Sequence, residues 1–100
     1  MKDYILLMHS DAPDTERAEN AELWERYLGL LHASGSFDGG SAVGAGARFR
    51  KGRDACAVDS GISGYLRVRA RDLEDASSFL SGNPVFEAGG TVEVRELPPD

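Results

Sequence analysis

His9 closes the apolar run Tyr4–Met8, where a strand would deliver its last side chain to the mouth of a cleft. Imidazole gains or loses its proton near neutral pH, so His9 could act as a general base or acid. The plainer alternative is an exposed strand-end residue. Tyr27, in "ERYLGLL", could donate a hydrogen bond to a ligand or sit in a core with its hydroxyl satisfied. Asp38, in "SFDGGS", is either a functional carboxylate or a turn residue ahead of Gly-Gly. If His9 and Asp38 meet across adjacent strands, they form a base and its orienting carboxylate. Arg67 and Arg69 alternate outward along "GYLRVRA" and could fork onto a carboxylate or phenolate. Glu93 and acidic residues of a partner copy could neutralise them instead, as cross-strand pairs. Arg48, in a glycine-rich loop, is a third candidate of the same kind. His32 lies in the last turn of a helix, where imidazolium suits the helix dipole.

The single cysteine, Cys56, can form no internal disulfide, and no Cys/His cluster has metal-site spacing. "GGSAVGAG" has no strand–helix context and no Walker lysine, so it is no phosphate cradle. Neither a metal nor a cofactor is expected. A net charge of −6 opposes nucleic-acid binding, and Asp72, Glu74 and Asp75 offset the arginines that precede them. The apolar run in "MKDYILLMHSDAPD" is too short to span a membrane, and Asp3 interrupts any signal-peptide pattern. The expectation is a reduced cytoplasmic protein forming one domain over residues 1–100. A chain of this length builds a modest core, so an oligomer would help its stability.

The elements that must position these groups follow from periodicity. Tyr4–Met8 is a strand apolar on both faces. Asp14–Ser34 has a helical stripe of Leu23, Tyr27, Leu30 and Leu31, with Trp24 and Leu28 beside it and Gly35 as its stop. Ser36–Val43 is a bent strand. Residues 44–63 form a long excursion holding a hairpin, with arms at Ala47–Arg50 and Ala55–Val58. Gly64–Ala70 alternates cleanly, with Leu66, Val68 and Ala70 on one face. Asp72 caps a second helix that buries Leu73, Ala76, Phe79 and Leu80 and stops at Gly82. Asn83-Pro84 then turns the chain, Phe86 packs down, and Gly89-Gly90 leads into the last strand, Thr91–Leu97. The order β-α-β-β-α-β predicts an α+β, ferredoxin-like plait: an antiparallel sheet with both helices on one face. A central first strand apolar on both sides then calls for a cover on the open face, and a second copy of the sheet would supply it.

Several stretches resemble the YCII-related family, which includes the DGPF-type proteins. These are "MKDYILLMH" with its acidic loop, "HASGSFDGGSAVG", and above all "GYLRVRARDLEDASSFLSGNPVFEAGGTVEVREL". The resemblance implies a dimeric α/β barrel in which two such sheets face each other. It also implies kinship with small enzymes of aromatic degradation, of dehydrochlorinase or muconolactone-isomerase type, for which a His-Asp pair has been proposed as the active site. Tyr27 falls where those relatives carry the histidine, and Asp38 where the carboxylate lies. "AVDSGISG" stands where the DGPF tetrapeptide would be. The resulting expectation is a homodimer binding a small anionic or aromatic metabolite, as a cofactor-independent isomerase or lyase. In that scheme His9 is the base, Asp38 orients it, and Tyr27 with Arg67, Arg69 or Arg48 contacts the ligand. The alternative is a non-catalytic dimeric sensor or interaction module.

Overall fold

Burial alternates strictly along the first strand, β1 (Lys2–His9): Tyr4, Leu6 and Met8 are buried, while Ile5, Leu7 and His9 are half-buried. That period of two is the pleat of a strand with one covered face and one bare face. The computed structural model describes residues 1–58 and 61–100. β1 pairs antiparallel with β5 (Ile62–Ala70) on one side and with β6 (Val92–Leu97) on the other. β2 (Phe37–Ala42) joins the far edge of β5, giving the order β2-β5-β1-β6. This is the ferredoxin-like plait, with β1 central as its composition requires. Leu6, Val68 and Ala76 are fully buried where the sheet meets the helices.

The first helical stretch is two helices, α1 (Thr15–Ala18) and α2 (Ala21–Ser34), rather than one. Asn20, in extended conformation, restarts the helix by accepting from Leu23 N at 3.0 Å. The Trp24 indole donates to Ala18 O at 2.7 Å, satisfying a carbonyl at the end of α1. On α2 the face turned to the sheet is Trp24, Tyr27, Leu28 and Leu31, and Leu30 is 63% exposed. After α3 (Leu73–Ser77), a 3-10 turn over Ser78–Leu80 ends at Gly82, with φ +85. Leu73 is exposed, contrary to its place in the expected stripe, and Ala76 takes the buried position.

Asn83-Pro84 is the start of a short helix, α4 (Pro84–Glu87), not a bare turn. Asn83 Oδ1 accepts from Val85 N and Phe86 N at 3.0 and 3.1 Å, and Pro84 occupies the first helical position, where no donor is needed. The side chain that packs down is Val85, while Phe86 faces out. Gly90 then passes so close to Val85 that an added Cβ would lie 2.7 Å from Cγ1 and 2.9 Å from its carbonyl. Only glycine allows β6 to begin there.

Between β2 and β5 the chain leaves the sheet as a separate hairpin, β3 (Gly46–Arg48) with β4 (Cys56–Val58), close to the expected arms. The radius of gyration, 14.8 Å, exceeds the about 13 Å of a compact chain of this length.

Candidate functional site

The Gly-Gly of β2 opens the site. Gly39 adopts φ +89 at an irregularity in the β2–β5 register between Phe37 and Gly40. An added Cβ on Gly40 would collide with the Tyr65 carbonyl and with Leu66 Cδ2. The pair therefore bends β2 and holds it tightly on β5, a role distinct from an ordinary turn. Between this edge of the sheet and α1, α2 and α4 lies a cavity of about 680 Å³. Met8, Trp24, Leu28, Phe37, Leu66 and Val85 give it a largely apolar wall. His9, Thr15, Glu19 and Ser41 contribute polar groups.

β1 ends at His9, where its register with β5 slips. His9 lines the cavity, and its Nε2 lies 2.6 Å from Glu93 Oε2. Glu93 stands opposite Leu7 on β6, on the bare sheet face, so the pair sits where the cavity meets that face. With 30% and 41% of their side chains exposed, the two groups are reachable from solvent. Two residues further on, Asp11 accepts from Thr91 N at 2.8 Å and from Thr91 Oγ1 at 2.6 Å. These bonds hold the Asp11 carboxyl below its ordinary 3.8, and the charge of His9 adds a smaller effect in the same direction.

A depressed folded-state value means the Asp11 contribution is complete above 3.8 and is lost as pH falls through the lowered value. Asp11→Asn is therefore expected to lower the melting temperature at neutral pH. The difference from the unsubstituted protein should shrink as the pH drops below 3.8. Melting curves across pH 2–7 check this. An equal difference at every pH would assign the effect to shape rather than to charge.

The other residues singled out in the sequence lie elsewhere. β5 separates β1 from β2, so His9 and Asp38 do not share adjacent strands and form no dyad. Asp38 instead sits 3.4 Å from Arg69 Nη1 and 3.8 Å from Arg67 Nη2 on the open sheet face. The arginines are paired across strands, and the acid is Asp38 of the same chain rather than Glu93 or a partner's carboxylate. Arg48 lies at the end of β3, opposite Cys56 in the hairpin, away from the cavity wall. The Tyr27 hydroxyl donates to Phe79 O at 2.7 Å beneath α2. Burial raises its phenol above the usual 10.0, and the nearby Asn83 side chain partly opposes this. Asp59 and Ser60, within the stretch that stands in place of DGPF, lie outside the described residues. Glu93 is the partner that residue types alone did not give to His9: it was legible as an open-face residue, but its register against β1 was not.

A four-stranded plait with a largely apolar cavity between sheet and helices defines the structural class. Among solved structures, the chain is similar to 5-chloro-2-hydroxyhydroquinone dehydrochlorinase from Burkholderia phenoliruptrix, in complex with 2,5-dihydroxybenzoquinone. The two share 20% identity at a TM-score of 0.58, over 97% of this chain and 95% of that one. A Burkholderia cenocepacia protein, provisionally assigned as an amidohydrolase/peptidase, matches at 12% identity and a TM-score of 0.41, over 97% of this chain and 27% of that one. No protein-family model matches the sequence, nor does any curated protein sequence. At this identity the first likeness establishes the fold. Among the described residues, no helix is long and apolar enough to cross a membrane.

Proposed function

We infer that the protein is a homodimeric, cytoplasmic member of the YCII-related group that binds a small, flat, largely apolar metabolite in the cavity beneath α2. The observation that carries this reading is the cavity itself. Its volume of about 680 Å³ lies within the about 300–1,000 Å³ of small-molecule sites, and an ionisable pair stands on its rim. The similar dehydrochlorinase holds 2,5-dihydroxybenzoquinone, a ring that a space of this size accommodates. With arginines absent from the described wall, an aromatic or quinonoid ring fits better than a multiply charged anion.

The chemistry this arrangement supports is proton transfer without a cofactor. Glu93 engages Nε2 of His9, which leaves Nδ1 to take a proton from a carbon of the bound ligand. The carboxylate offsets the positive charge that forms on the ring. The electron pair released then either picks up a proton at another carbon, giving an isomer, or expels a leaving group with its bonding pair, giving an elimination product. Glu93 thus takes the orienting role first sketched for Asp38, and Tyr27 acts through packing.

The engaged state of Tyr27 and Asp38 favours the second reading, a binding module without catalysis. Two measurements separate the readings. A ligand that binds only the folded chain raises its melting temperature, so a panel of hydroquinones, benzoquinones and aromatic acids is expected to contain a stabiliser. With that stabiliser, His9→Ala should cut solvent-deuterium exchange or elimination by about 10²–10⁴-fold while binding persists. Turnover unaffected by His9→Ala would remove His9 from the mechanism. A panel without any stabiliser would remove the binding reading.

A further inference from the structure

The β3–β4 hairpin carries a charge opposite to that of the body from which it projects. Residues 44–58 hold four basic groups (Arg48, Arg50, Lys51, Arg53) and one acidic group (Asp54), a net of +3. The remaining residues hold seven basic and sixteen acidic groups, a net of −9. Val43 N donates to Ser63 O at 3.0 Å and Ser10 N to Gly61 O at 2.6 Å, and among the described residues the hairpin is a sheet of its own. Its residues are exposed apart from a half-buried Val58, and Phe49 at its tip is 82% exposed. Two strands of three residues, with no covered face, are marginal in water. An aromatic ring flanked by four cations can add apolar contact to the charge attraction of an anionic surface.

We propose that this hairpin is an exchange arm that docks on the α1–α2 face of a second copy of the chain, beside the mouth of that copy's cavity. The α1–α2 segment carries four exposed glutamates, Glu16, Glu19, Glu22 and Glu25, against two exposed arginines, Arg17 and Arg26. Glu19 also lines the cavity, so an arm seated on these residues lies at its entrance. Charge complementarity selects the partner. The −9 body repels phosphate backbones and anionic lipid headgroups, whereas it attracts the arm of another copy. The contact uses the helix side of the molecule, so it stands apart from pairing through the open sheet face and does not depend on a ligand in the cavity.

Cys56, the single cysteine and exposed on β4, supplies the probe. It is labelled with a benzophenone maleimide in an equal mixture of ¹⁵N-labelled and unlabelled chains, which is then irradiated and digested. The expected product is a mixed-isotope peptide joining the label to residues 11–26. Its yield should fall roughly tenfold in 1 M NaCl, where exposed ion pairs are screened. The quadruple variant R48E/R50E/K51E/R53E and the quadruple variant E16K/E19K/E22K/E25K should each lose the product to a similar degree, and mixing the two should restore it. All eight positions are exposed, and the salt series reads the same contact in the unsubstituted chain should either variant fail to fold. Same-isotope peptides alone, cross-links to another surface, or a yield indifferent to salt would overturn the proposal. So would arm-dependent retention of an oligonucleotide or of anionic vesicles without the mixed-isotope peptide.

Discussion

Leu7→Glu is expected to turn the protein from a dimer into a monomer in sedimentation at micromolar concentration in 1 M NaCl, where the arm contact is screened, with its far-ultraviolet spectrum unchanged. Leu7 is half-buried on the bare face of β1, opposite Tyr65 on β5 and Glu93 on β6. With Ile5 it makes an apolar stripe at the centre of a sheet face that the helices leave uncovered. A second sheet laid over that stripe would remove it from water, and a carboxylate placed there would be buried without a partner. That penalty is about 3–5 kcal/mol, enough to weaken the dimer more than about 100-fold. Glu93, directly across, adds like-charge repulsion. An unsubstituted chain that sediments as a monomer would refute the sheet-to-sheet pairing outright.

The neighbouring residue predicts a different loss. Leu6 is fully buried on the helix side, opposite Leu66 and Val94. Leu6→Ala removes three carbons from a packed site that relaxes only in part, so unfolding free energy should fall by about 2–5 kcal/mol. For a chain of this size that lowers the melting temperature by at least about 10 °C. The mass in sedimentation should not change. A loss below about 1 kcal/mol in denaturant melts would mean that Leu6 is not in the core. Two adjacent leucines thus report on two separate associations, because the pleat sends them to opposite faces.

The fold was legible because its signals are local and repeated. The two-sided run Tyr4–Met8, the alternation of Leu66, Val68 and Ala70, and the stops at Gly35 and Gly82 state the order of elements, and the order states the plait. Pattern and structure part where one polar side chain overrules a periodic stripe. Asn20 ends one helix and begins another inside a continuous stripe, and Asn83 begins a helix where Asn-Pro reads as a turn. The site was less legible because it depends on strand order and register. His9 was found by its place at a strand end, but its partner follows from how far β6 slides along β1, which no residue near His9 encodes. Residue types alone suggest Asp38 as the partner of His9, if the two meet across adjacent strands. The strand order puts β5 between them, and two arginines of that strand claim the carboxylate.

The central position of β1 bears on how the molecule is made. The strand richest in apolar side chains is made before both strands it pairs with, residues 62–70 and 92–97. At about 5–20 residues per second, about 3–12 s pass between synthesis of β1 and synthesis of β5, and more before β6 follows. Throughout that interval Tyr4–Met8 has no strand to pair with and is open to chaperones or to the same segment on a neighbouring chain. The strand that organises the finished sheet is thus also the one with the longest wait for its partners.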